Sequence, residues 1–104
     1  MSETALVSSI LDVFRLERGC YAWRNNTGAI KRGSRFIKFG EPGAPDIMAI
    51  VDGTFLGLEC KAERGRLSPE QIQWGERCRH AGGQYAIVRS VAEARKAIQE
   101  ARRA

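Results

Sequence analysis

Cysteine is scarce in this 104-residue chain: Cys20, Cys60 and Cys78 are odd in number and none forms a C-x-x-C pair. That spacing excludes a disulfide framework and offers no zinc site, leaving buried free thiols as the reading. Histidine occurs once, as His80, near the end of an expected helix where a charged ring suits the dipole rather than general-base work. No Ser/His/Asp grouping and no phosphate-cradling P-loop occurs, so serine-hydrolase and nucleotide-hydrolase chemistry find no support. No apolar stretch approaches the ~20 residues of a membrane span. The start of the chain lacks the basic segment and long apolar core of a secretory signal. These absences lead us to expect a cytoplasmic protein with no membrane partner. There are no repeats and no low-complexity linker, so residues 1–104 read as one domain with a modest core. Carboxylates are also in short supply, 12 against 17 Lys and Arg, a net charge of +5. Such a balance favours a polyanionic partner, although many soluble proteins are as basic without touching nucleic acid.

What is present is a spacing. Pro45-Asp46 is followed, after twelve residues, by Glu59-Cys60-Lys61. Between them Asp52-Gly53 is a strong two-residue hairpin signal, because both central positions of a type I′ turn need positive φ. The flanking runs, Ile47 to Val51 and Thr54 to Cys60, are strand-like. Pairing outward from Val51 and Thr54 sets Asp46 opposite Glu59, on one face with Cβ atoms about 5 Å apart. Alternation adds Lys61 to that face and sends Cys60 to the other. Two opposed carboxylates repel unless a cation lies between them, which points to a metal site. An oxygen-only donor set suits Mg²⁺ or Mn²⁺, with the Cys60 main-chain carbonyl as a further ligand. Such a cation polarises a phosphate oxygen and acidifies a bound water, and Lys61 is placed to orient that water or stabilise developing charge. The plainer alternative is a surface hairpin in which Glu59 and Lys61 form an ordinary ion pair and Asp46 serves a turn.

Further residues bring a resemblance. Pro45-Asp46, Glu59-Cys60-Lys61, the run Gly65-Arg66-Leu67-Ser68-Pro69-Glu70-Gln71 and Trp74 are similar to the VRR-NUC branch of the PD-(D/E)XK nuclease superfamily. The upstream Trp23-Arg24-Asn25-Asn26-Thr27-Gly28-Ala29 and Gly40 to Asp46 resemble the same signature, so the likeness spans most of the chain to about residue 90. It implies an α/β fold with an αβββαβ core, a mixed central sheet flanked by helices. It also implies Mg²⁺- or Mn²⁺-dependent cleavage of DNA, with no small-molecule cofactor and with Asp46, Glu59 and Lys61 as the catalytic trio. Supporting roles fall to Gln71 and to an acidic residue of the first helix, for which Glu3 fits better than Glu17. Stand-alone members resemble Holliday junction resolvases, so the expected substrate is branched DNA such as a four-way junction, cut by a homodimer. The alternatives are a flap- or end-directed nuclease that needs a partner, a DNA-binding module that does not cut, and a domain with no nucleic-acid role.

The remaining pattern fits. Leu6, Val7, Ile10, Leu11 and Phe14 recur at helical spacing before Gly19. Tyr21 to Asn25 and Arg35 to Phe39 read as strands, the second alternating charged and apolar so that one face meets solvent or DNA. Ser68, Pro69 and Gln71 form a capping-box start to a helix closed by Gly82-Gly83. Gln71 therefore has two readings, a cap or a site residue. Tyr85 to Val88 reads as a short central strand parallel to that of Glu59, and Ser90 opens a last helix with Val91, Ala94 and Ile98 inward. Trp23 and Trp74 read as core. Lys31, Arg32, Arg35 and Lys38 are the best phosphate-contact candidates, against the alternative of an ordinary basic loop. Arg24, Asn25 and Asn26 stand beside a turn close to the expected cut, and Arg64 and Arg66 flank the loop beyond Lys61. Arg95, Lys96, Arg102 and Arg103 read as a solvated helix face.

Overall fold

A computed structural model describes residues 1–26 and 28–104, without the side chains of 28–30, 38 and 39. Thr27 and the Lys38 side chain, both named above, lie outside the described residues. The order is α1 (Glu3–Leu16), β1 (Cys20–Arg24), β2 (Gly28–Arg32), β3 (Arg35–Phe39), β4 (Ile47–Val51), β5 (Thr54–Cys60), α2 (Pro69–His80), β6 (Gln84–Val88) and α3 (Val91–Arg102). Four strands form a mixed sheet ordered β1-β4-β5-β6, antiparallel except for the β5-β6 pair. The α/β architecture with a mixed sheet and flanking helices is as the sequence implies. No described helix is long and apolar enough to cross a membrane.

Local signals explain most elements. The Ser2 side chain accepts the Ala5 N–H at 3.1 Å and starts α1, whose inward stripe is Leu6, Val7, Ile10, Val13 and Phe14. Ser90 caps α3 by accepting the Glu93 N–H at 3.1 Å, and Ala94, Ala97, Ile98 and Ala101 face inward. Both stripes pack on the sheet face built from Ile47, Ala49, Val51, Leu56, Leu58, Cys60 and Val88, and that is the main core. The small alanines of α3 let its backbone lie close to the strands. On the opposite face α2 packs against β6, where Phe55, Trp74 and Tyr85 form an aromatic chain with ring centroids 6.3 and 5.9 Å apart. Burying these rings and the two stripes together orients the sheet between its helices.

Three expectations need correction. β6 parallels β5 as expected but lies at the edge of the described sheet, not its centre, pairing with β5 alone among the described strands. Trp23 stays 37% exposed beside the more exposed Tyr21, their centroids 5.4 Å apart, since α2 packs at the other edge of that face. Arg102 does not belong to a solvated face: its guanidinium donates to Asp52 Oδ2 at 2.8 Å and Glu17 Oε2 at 3.0 Å. This clamp ties the end of α3 to the β4-β5 turn and the end of α1. Arg35–Phe39 forms its expected strand and pairs with one the sequence did not suggest, Gly28–Arg32, in a two-stranded sheet of its own. The Gly33-Ser34 turn signal was there to read, but two adjacent cations hid the strand pattern before it.

Candidate active site

The β4-β5 turn forms as its residues require, with Asp52 at φ 47° and Gly53 at φ 85°. The register then runs Val51↔Thr54 out to Ile47↔Leu58, so Asp46 and Glu59 come next and face one another. A side-chain bond locks this end of the pair: Asp46 Oδ2 accepts the Cys60 N–H at 2.8 Å. Pro45, fully buried, fits against Gly57, where an added Cβ would come within 2.9 Å of the ring. The missing side chain at Gly57 is what lets the Pro45-Asp46 segment lie flat on β5. Asn25 holds the segment from the other side. Its N–H donates to the Asp46 carbonyl at 2.8 Å and its side-chain amide to the Pro45 carbonyl at 3.1 Å. Asn25, expected at the DNA, thus has its amide donor committed to positioning Asp46.

Glu59 is the buried charged residue of the chain's described part, 3% exposed. Its Oε2 accepts from Gln71 Nε2 at 2.8 Å and lies 3.5 Å from Lys61 Nζ. The same Gln71 amide turns its oxygen to the Ser68 N–H at 2.9 Å, while Ser68 Oγ accepts the Gln71 N–H at 3.2 Å. The Gln71 amide thus spans two partners: its oxygen completes the cap of α2 and its nitrogen grips Glu59. Burial, then the neighbouring Asp46 charge, pushes the Glu59 carboxyl up to about 7, with Lys61 pulling it partly back. The Cys60 thiol, turned into the core, is pushed up to about 12, chiefly by burial, and stays protonated. Glu3 reaches across from α1, its Oε2 accepting the Ala62 N–H at 3.1 Å. Glu17 is held instead by Arg102, away from this spot. The structure thus brings Asp46, Glu59, Lys61, Gln71 and Glu3 to the ends of adjacent elements.

An oxygen-only donor set of this kind would suit a hard cation. Among the described residues no three His, Cys, Asp or Glu side chains gather to hold a metal by themselves. Oε1 of Glu59 and Oδ1 of Asp46 meet no protein donor among those residues, while the other oxygen of each is engaged. Two carboxylate oxygens completed by the Cys60 carbonyl and water would suit Mg²⁺ or Mn²⁺.

One residue of this region escaped the sequence reading. Arg89, just past β6, donates through Nη1 to the carbonyls of Ala62 at 2.6 Å and Glu63 at 3.2 Å. It fastens the loop that leaves Lys61, and its separation of more than twenty residues from that loop leaves no local signal. Arg89→Ala is expected to speed amide hydrogen exchange in the loop after Lys61 about tenfold, because the two carbonyls lose their donor. Hydrogen exchange followed by mass spectrometry would check it. Of the other expected contacts, Arg24 ends β1 opposite Ile47, and Asn26, Arg64 and Arg66 are exposed nearby in sequence. Lys31, Arg32 and Arg35 sit exposed on the separate β2-β3 hairpin.

Comparison with known proteins places this geometry. No family model matches the sequence, and no curated protein matches it. Among solved structures, a chain described as a VRR_NUC domain superposes with a TM-score of 0.65 at 22% identity, over 95% of this chain and 97% of that one. The chain has the fold of a VRR_NUC domain.

Proposed function

We propose that this protein is a metal-dependent deoxyribonuclease. The observation that carries the reading is the buried Glu59 carboxylate facing Asp46 across a strand pair, with Lys61 Nζ 3.5 Å from it. Burying one carboxylate beside another is costly unless cations share the site, and a single lysine leaves the pair short of balance. Asp46, Glu59 and the Cys60 carbonyl hold Mg²⁺ or Mn²⁺, which supplies Lewis-acid polarisation of the scissile phosphate. Lys61 stabilises the charge that builds on the phosphate oxygens or steadies the attacking water. Gln71 keeps the Glu59 carboxylate in one rotamer, and Glu3 secures the loop beyond Lys61 through the Ala62 N–H. The likeness in fold to a VRR_NUC domain supports the same reading.

The preferred substrate in this proposal is branched DNA, a four-way junction above all, resolved by a homodimer. Two cuts on opposed strands need two matched sites, which a two-fold axis provides. The test is cleavage of labelled junction, flap, duplex and single-stranded DNA with Mg²⁺, Mn²⁺ or EDTA, wild type beside Lys61→Ala. Paired symmetric cuts in the junction, lost with EDTA and about 10²-fold weaker in the variant, are expected. Metal-dependent cutting of flaps or ends would keep the chemistry and replace the resolvase reading. Cutting that survives both EDTA and Lys61→Ala would refute the proposed centre.

A further inference from the structure

The β2-β3 hairpin poses a physical problem that the catalytic centre does not answer. It pairs with no other strand among the described residues, and isolated two-stranded hairpins are marginal in water. Residues 28–39 carry four cations and no carboxylate. Next to the Gly33-Ser34 turn, Arg32 is paired directly with Arg35, and like charges in that position push a hairpin apart. The next pair is Lys31 with Phe36. Alternation puts the two arginines on one face with Ile37, and Lys31 with Phe36 on the other. Phe36 is 71% exposed and Ile37 43%, so the described apolar side chains of the hairpin are not covered by the core. Each face thus carries cationic and apolar side chains side by side, which suits a partner that offers anionic groups next to flat apolar surface.

Nucleic acid opened at a branch is such a partner. Resting on the nuclease reading, we propose that the hairpin is a wedge for branched DNA: Phe36 stacks on the base exposed at the branch point, and Arg32 and Arg35 hold the phosphates of the departing strand. Apolar side chains inserted at a base step are a known means of holding DNA bent or open. An intact duplex hides its base faces and offers Phe36 nothing, so the hairpin selects branches. Placement suits the task. Both ends of the hairpin return to the catalytic edge, through Asn25 bonded to Asp46 on one side and Pro45-Asp46 on the other. The base of the hairpin is thereby tethered to the segment that carries Asp46.

The probe is 2-aminopurine at the branch point of a four-way junction, with the same base placed within a duplex arm as control. Binding is followed in Ca²⁺ or EDTA so that no cutting intervenes, for wild type, Phe36→Ala and Phe36→Trp. Wild type is expected to change the branch-point signal and leave the arm signal unchanged. Phe36→Ala should lose that change and about tenfold of the preference for junction over duplex, with duplex affinity kept, and Phe36→Trp should restore both. A branch-point response identical in wild type and Phe36→Ala overturns the wedge. So does a Phe36→Ala chain whose mass in sedimentation falls from dimer to monomer with the probe response intact, which would assign the face to a second copy. A Phe36-dependent response in a protein that cuts nothing with any metal keeps the wedge and removes the nuclease reading, so the two fail separately.

Discussion

Replacing Glu59 with Gln is expected to raise the melting temperature of the metal-free protein at pH 8 while abolishing cleavage. The carboxyl is pushed from an ordinary 4.5 to about 7, first by burial and second by Asp46. Between those two values the folded chain binds more protons than the unfolded one, so stability of the metal-free protein falls as pH rises through that window. Above it the whole penalty is present, at most about 3 kcal/mol if the shift is converted at about 1.4 kcal/mol per unit. Gln at this position carries no charge, and its amide oxygen still accepts from Gln71 Nε2. A rise of about 5 °C or more at pH 8, shrinking toward zero at pH 4.5, is the expected signature by calorimetry. Wild type should recover stability above pH 7 when Mg²⁺ or Mn²⁺ is added, by mass action, and Glu59→Gln should gain little. Equal melting temperatures at pH 8 with the same gain from metal would refute the paired-carboxylate site.

Asp46→Asn should leave a folded, DNA-binding protein whose cleavage rate is lower by on the order of 10³-fold. The choice of Asn matters. Asp46 Oδ2 accepts the Cys60 N–H at 2.8 Å, and an amide oxygen preserves that bond. Asp46→Ala would strand the N–H, at a cost of about 1–3 kcal/mol, and mix a folding defect into the reading. Asn removes only the charge that a cation needs. Removing it also relieves Glu59 of a carboxylate neighbour, so the Glu59 carboxyl should titrate lower than in wild type. Gel shift in EDTA together with single-turnover cleavage separates binding from chemistry. Cleavage within about tenfold of wild type would mean that Asp46 is a structural residue of the strand pair and that the metal is held elsewhere.

Much of the local structure and of the site was written in neighbouring residues. Asp52-Gly53 favours a type I′ turn, and that turn sets the register that makes Asp46 and Glu59 face each other. Strand alternation does the rest for Cys60 and Lys61. Ser68, Pro69 and Gln71 specify the start of α2 by chemistry confined to four residues. Signals of this kind survive in sequence because their physics is short-ranged. What depended on distant partners did not. The depth of Glu59, and therefore its raised pKa, follows from α2 laying Gln71 over it. The clamp of Arg102 on Glu17 and Asp52, which holds Glu17 at the far end of α1, joins residues 50 and 85 positions apart. Arg89 reaches the Lys61 loop from beyond β6, and Trp23 stays open because α2 packs over β6 at the other end of that face. Turn chemistry and alternation determined which side chains share a face. Only packing decided how deep each one lies, what holds it, and which basic segment pairs with no other described strand.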